Sequence, residues 1–362
     1  MKMKDALDLL ILDAGSNGRA VAYAQCEADT AVEVLSCKAI TQLKDFRDRL
    51  NRASLGQEKL PTAQDLSSFG TNLFEFVLRG DLLSLYNRLP PDYVRIRILS
   101  NHPELQALPW EYLQDPRAPA GPNNTRGVVR IVPTLGQPMP VPRKANQKLR
   151  ILFVFADPID QGPVRWDEIY STIKREFERR SGNNFEIDVV EGASIQAVTK
   201  AFLEKSYDVF HFNGHGALLP DNGGKIVGHL VFMDAATKKT EPISAEQLAT
   251  LVTGQGLQLV VLSSCNSSAG DFSESYAVVA QSLVRRGVPA VVANQFAITN
   301  NLAATFASGF YNELLKTGDI DRAVGAGRLL LSMQRPIAGK ATLEWGIPTL
   351  YRHLGAAKIF EV

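Results

Sequence analysis

YDVFHFNGHG, residues 207–216, and LQLVVLSSCNSS, residues 257–268, decide the reading of this chain. Each opens as a short apolar run and closes in small polar residues. That is the pattern of a strand buried on both faces in a parallel sheet, delivering its last side chains to a loop. In open sheets of this kind ligands sit at the carboxyl ends of the strands. If the two strands are parallel neighbours, both ends open on one edge, and His215 and Cys265 face a shared cleft.

The surrounding chain alternates strands with helices. Leu149–Phe155 is a buried-type strand, Asp167–Arg180 an amphipathic helix, Phe185–Val190 a strand, and Ser194–Lys205 a helix with Ser194 as N-cap. After the strand Tyr207–Phe212, His215 enters a loop, and Gly228–Met233 with Glu241–Ile243 form a hairpin. Ser244 and Gln247 fit a capping box for a helix through Val252. Leu257–Leu262 is a strand, Ser273–Arg286 a helix stopped by Gly287, and Val288–Ala293 a strand. Helices over Asn301–Lys316 and Ile320–Gln334 and a last strand, Ile347–Tyr351, complete the series. The alternation predicts an α/β fold: a mainly parallel sheet with helices on both faces.

The first region reads differently. Strands are expected at Asp8–Asp13, Ala20–Ala28 and Ala31–Ser36, the first two joined by GSNG at 15–18. Helices follow at Asp65–Leu78, with Leu66, Phe69, Leu73 and Phe76 on one face, and at Leu82–Leu89. Tyr93–Leu99 and Val128–Val132 are strands, and LPWEYL at 108–113 supplies core side chains, with no catalytic role for Glu111. LGQPMPVPRKANQK at 135–148 has the prolines and polar residues of a linker. It divides a smaller α+β region, 1–148, from the α/β region, 149–362.

Composition narrows the function classes. Of 362 residues, 45% are hydrophobic and 21% charged, enough for a sizeable core. The 39 basic and 38 acidic residues nearly cancel, so no electrostatic footprint points to nucleic acid or to an anionic membrane. Leu9–Leu12 is too short for a signal sequence and is flanked by Asp8 and Asp13, and no apolar run is long enough to span a bilayer. Cys26, Cys37 and Cys265 make neither a metal spacing nor a disulfide framework, which fits a reducing, cytoplasmic setting. Cys26 and Cys37 read as core residues. GSNG and DNGGK at 221–225 lack the phosphate-loop spacing, and ILFVFADPIDQG at 151–162 lacks a dinucleotide glycine fingerprint. A nucleotide-binding domain therefore ranks last.

A thiol becomes a useful nucleophile only beside a base or a positive charge. His215 is that base for Cys265, and the glycines around it let the backbone turn and approach a substrate. The amides of Gly216 and Cys265 are placed to bind a developing oxyanion. His211, four residues earlier, reads as a buried strand residue, with orientation of His215 as its alternative role.

HFNGHG, LSSCNSS, GVPAVVANQFAITN, AVGAGRLLL, LPWEYL, RGVVRIVP and LEWGIPTLYRHLG together resemble the CHAT family of caspase-like cysteine peptidases over nearly the whole chain. The interval from His215 to Cys265 is close to that in caspases, although the caspase signature around the cysteine is absent. The resemblance implies a caspase-like three-layer α/β sandwich and a cysteine endopeptidase acting through a His215–Cys265 dyad, with no cofactor and no metal. It implies a specificity pocket drawing on Asp157 and on Gln295–Asn300. Asn300 stands where many relatives carry an acid, which argues against a strongly acidic pocket. Asp157 reads equally as a partner for a basic side chain, from which cleavage after Arg or Lys is expected, or as a turn residue ahead of Pro158. The implied partners are a protein substrate and a regulatory protein, in a bacterial defence or cell-death setting. Self-cleavage is expected in Asp157–Gly162 or Leu218–Lys225. The competing reading is a non-catalytic caspase-like module that binds peptides or scaffolds.

Overall fold

A computed structural model describes residues 6–13, 19–26, 28–36, 38–89, 95–100, 103–117, 127–134, 141–142, 144, 147–163, 166–180, 185–221, 223–253, 255–263, 273–334 and 343–361. The GSNG turn, Cys37, Cys265 and much of the proline-rich stretch lie outside them. The chain forms two compact units, one of residues 1–131 with 332–346, the other of 132–331 with 347–362.

The first unit opens with β1 (Ala6–Asp13), β2 (Arg19–Cys26) and β3 (Asp29–Ser36), then α1 (Lys38–Ser54), α2 (Ala63–Val77) and α3 (Gly80–Asn87). β4 (Arg95–Ser100), the short α4 (Pro103–Gln106) and β5 (Val128–Ile131) complete it. The strands lie in the order β3-β2-β1-β4-β5, antiparallel in the hairpins and parallel at β1/β4 and β4/β5. Alternation sorts the side chains: Leu7, Leu9, Ile11, Ala20, Ala22 and Ala24 are buried, whereas Val32 and Val34 face solvent. A Thr62–Asp65 capping box starts α2, whose Phe69 stacks on Phe46 of α1 at 4.6 Å. Within LPWEYL, the Trp110 indole donates to the Leu105 carbonyl at 2.7 Å. Glu111 is fully buried and pairs with Arg130 at 2.6 Å, and the same guanidinium donates to the Gln106 and Leu108 carbonyls. Glu111 and Arg130 together hold this turn in place.

The second unit contains β6 (Leu149–Phe155), α5 (Asp167–Arg180), β7 (Phe185–Val190), α6 (Ile195–Glu204), β8 (Val209–Asn213), β9 (His215–Pro220), β10 (Ile226–Met233) and β11 (Thr240–Ser244). It continues with α7 (Ala245–Val252), β12 (Leu259–Ser263), α8 (Ser273–Arg285), β13 (Ala290–Asn294), α9 (Asn300–Thr317), α10 (Ile320–Ser332) and β14 (Pro348–Arg352). Its main sheet runs β14-β13-β12-β8-β6-β7, parallel throughout except where β14 meets β13. Period-two geometry divides the buried strands between two layers. Leu152, Val154, Phe210, Phe212, Val260, Leu262 and Val291 pack with side chains of α6, α7 and α8. Phe153 and His211 point the other way, toward Tyr170 of α5 and Tyr311 of α9. This is the caspase-like three-layer α/β sandwich with a mainly parallel central sheet.

One local expectation is corrected. His215 does not enter a loop: it opens β9, which pairs antiparallel with β10 in a separate sheet of order β11-β10-β9. The expected hairpin is β10/β11, and β9 extends it by one strand. Among the described residues no helix is long and apolar enough to cross a membrane.

Candidate active site

The site starts where β8 and β12 end together. Their parallel register runs from Val209 beside Leu259 to Asn213 beside Ser263. One residue further, the Gly214 amide donates to the Ser263 carbonyl at 3.2 Å. His215 follows directly, and Ser263 stands two residues before Cys265. A Cβ at position 214 would lie 2.6 Å from the Phe212 ring and 3.2 Å from the Ala156 carbonyl, so the crossing admits only glycine. The Tyr276 hydroxyl, from α8, donates to the Gly214 carbonyl at 2.8 Å and fixes the turn from the α8 side of the sheet.

His215 is 2% exposed. Its Nε2 lies 2.8 Å from the carbonyl oxygen of Gly162. A carbonyl only accepts, so Nε2 carries the proton and donates. In the neutral ring the lone pair then belongs to Nδ1. Burial lowers the pKa of His215 from its ordinary value, while the Gly162 carbonyl and the Asp157 carboxylate oppose that shift. The imidazole is therefore neutral at physiological pH, yet has groups ready to stabilise it once protonated. Among the residues foreseen from sequence, Asp157 thus acts on His215, and Gly216 follows it in β9, opposite Leu230 of β10.

Of the other foreseen residues, one follows the neighbouring strand and the other begins a helix. Gln295 follows β13, where its amide donates to the Ile347 carbonyl at 2.9 Å. Asn300 opens α9, and its side-chain oxygen is buried with no hydrogen-bond partner among the described residues. His211 turns to the opposite layer: its Nδ1 and the Tyr311 hydroxyl are hydrogen-bonded at 2.7 Å, and its ring stacks on Phe153 at 4.2 Å. It does not hydrogen-bond to His215. Cys265, with residues 264–272, lies outside the described residues. Gly162 and Tyr276 escaped the sequence reading. A backbone carbonyl leaves no side-chain signature, and a tyrosine in an amphipathic helix reads as core. Among the described residues no cluster of three or more His, Cys, Asp or Glu gathers to hold a metal ion.

A family model of the CHAT domain matches residues 68–352. The chain belongs to the CHAT domain family. In structure this CHAT domain is similar to gingipain R (RgpB) of Porphyromonas gingivalis, an Arg-specific cysteine proteinase. The TM-score is 0.53 at 12% identity, over 99% of this chain and 79% of that one. It is also similar to Saccharomyces cerevisiae separase, solved in complex with securin, with a TM-score of 0.50 at 10% identity. There 96% of the CHAT chain aligns to 30% of the separase chain, so it spans under a third of that relative's length. At these identities the likeness concerns the fold. No curated protein matches the chain in sequence.

Proposed function

We propose that this CHAT domain is a cysteine endopeptidase with Cys265 as nucleophile and His215 as general base. The observation that carries the reading is the Nε2–H bond from His215 to the Gly162 carbonyl, made at the strand end that runs beside Ser263. It leaves Nδ1 as the basic nitrogen of a buried, neutral ring. Cys265 stands two residues beyond Ser263, a covalent reach of about 7 Å, short enough for a thiol to serve that ring.

The chemistry follows from those groups. Nδ1 takes the thiol proton, and the Asp157 charge and the Gly162 carbonyl stabilise the resulting imidazolium. The thiolate adds to the substrate carbonyl, whose oxyanion is held by the amides of Gly216 and Cys265. The C–N bond breaks, with His215 returning its proton to the leaving amine. Water, deprotonated by the same ring, then hydrolyses the thioester and restores the thiol. Asp157, Gln295 and Asn300 form the first specificity pocket, with Asp157 its carboxylate and Asn300 a neutral acceptor. A peptide with Arg or Lys before the scissile bond fits that set.

A peptide-library cleavage profile of the wild type beside Cys265→Ala tests the reading. Cuts after Arg or Lys by the wild type alone are expected. The same cuts by Cys265→Ala, with the fold intact by circular dichroism, overturn it.

A further inference from the structure

The Gly162 carbonyl can orient His215 only if it is itself held in place. It lies on the segment between β6 and α5, whose tip offers little burial: the Ile159 side chain is 71% exposed. What holds the tip is a set of hydrogen bonds to the start of β11 and the turn before it. Asp160 Oδ1 accepts both the Thr240 amide and the Thr240 hydroxyl at 2.9 Å. The Gln161 side-chain amide donates to the Thr240 hydroxyl oxygen at 3.0 Å, and the Ile159 amide donates to the Lys238 carbonyl at 3.0 Å.

The turn that receives these bonds is stiff. Asp234 Oδ1 accepts the amide and hydroxyl of Thr237, both at 2.7 Å, and the Asp234 amide donates to the Lys239 carbonyl at 2.8 Å. Lys238 is the one described non-glycine residue at positive φ, at 61°. A lysine is held there only where its surroundings over-determine the backbone. This turn joins β10 to β11, and β10 pairs with β9, setting Val231 opposite His215. The bonds close a ring: His215 on β9, β10, the turn, Thr240, Asp160, Gly162, and back to the imidazole. One small sheet carries the base and also clamps the carbonyl that orients it.

We propose that Asp160 and Thr240 are positioning residues, forming a clasp that presses the Gly162 carbonyl onto His215 Nε2 and so fixes Nδ1 as the basic nitrogen. The clasp rests on the dyad reading for its catalytic consequence, but not for its structural one. Asp160 acts as an ionised acceptor: although desolvation works against it, the Thr240 hydroxyl and amide lower its pKa below the ordinary carboxylate value.

The test reads the ring directly, in chains carrying Cys265→Ala so that the thiol plays no part. Histidine-selective nitrogen labelling gives ring signals, and His215→Gln identifies which belong to position 215. The parent chain is expected to show His215 as a single Nε2–H tautomer at neutral pH. Asp160→Ala and Thr240→Val are expected to shift those signals toward a tautomer mixture, while Thr240→Ser, which keeps both donors, restores the parent spectrum. In chains that retain Cys265, the two disruptive variants are expected to slow alkylation of the thiol by iodoacetamide about tenfold or more. Unchanged His215 ring signals in Asp160→Ala and Thr240→Val overturn the clasp, even if both chains melt earlier. Should Asp160→Ala fail to fold, Thr240→Val decides, since it keeps the backbone donor. Failure of the dyad reading shows itself elsewhere, as cleavage surviving in Cys265→Ala, and leaves the ring signals as they are.

Discussion

At the scale of single residues, the two histidines near the strand end share burial but differ in their neighbours. His211 is 2% exposed, and desolvation drops its pKa to about 3. An unfolded histidine titrates near 6.5, so between those values the unfolded chain binds a proton that the folded one refuses. Stability from this group is therefore complete above pH 6.5 and falls toward pH 3, by about 1.4 kcal/mol per pH unit. His211→Phe removes that loss while leaving the Tyr311 hydroxyl without its partner. The variant is expected to be less stable than wild type at neutral pH, with the deficit narrowing as pH drops, measured as urea midpoints across that range. His215 shares the burial but feels the Asp157 charge. Asp157→Asn is expected to lower the His215 titration midpoint further, read from the ring signals in a pH series. A midpoint that rises contradicts the placement of that charge. Both imidazoles were legible in the sequence because each is a polar ring in or just after an apolar run. The Gly162 carbonyl was not, since its bond to His215 spans 53 residues and involves no side chain of its own.

At the scale of elements, legibility followed local pattern. The buried strands β6, β8, β12 and β13 are continuous apolar runs bounded by turns, and sequence located them closely. The Ser244–Gln247 capping box was visible too, and the structure forms both of its bonds: the Gln247 amide to Ser244 Oγ at 3.2 Å and the Ser244 amide to Gln247 Oε1 at 2.9 Å. Two elements left no such signal. α1 carries Ile40, Leu43, Leu50 and Ala53 as its buried stripe among many charged residues, so the apolar period is diluted. β9 pairs on one side only and is buried only at its start, where His215 and Gly216 interrupt the apolar pattern. The cap itself is testable. Ser244→Ala leaves the Gln247 amide unpartnered at the first turn of α7 and is expected to cost about 1 kcal/mol. Ser244→Asp keeps an acceptor there and is expected to stay within a few tenths of wild type. Equal losses in the two variants, by chemical denaturation, argue that the cap contributes nothing.

At the scale of the whole molecule, the fold depends on chain segments that return from far away in sequence. Residues 332–346 join the first compact unit, and residues 347–362 return to the second. No local composition announces either return, because what fixes them is pairing between distant residues. β14 shows the cost of such an arrangement. It follows α9 and α10 in the chain, pairs with β13, and is tied to α10 by buried charge. Arg352 and Asp321 are each 1% exposed and form a two-pronged pair, 2.8 Å on both arms. The rest of the guanidinium donates to the His353 and Leu354 carbonyls, and Arg328 of α10 donates to the Pro348 carbonyl at 2.7 Å. A fully satisfied pair of this kind adds little net stability, but removing one partner leaves the other buried and uncompensated. Arg352→Met is therefore expected to cost about 3–5 kcal/mol, since Asp321 loses its counter-charge in a dry site. The double variant Arg352→Met with Asp321→Leu is expected to recover most of that loss, because two apolar groups of similar volume need no pairing. The signature is this non-additivity, measured by equilibrium unfolding of wild type, both single variants and the double. If the double variant is as unstable as the sum of the singles, the pair is not coupled, and the hold of α10 on β14 lies in the Arg328 bonds and apolar packing instead.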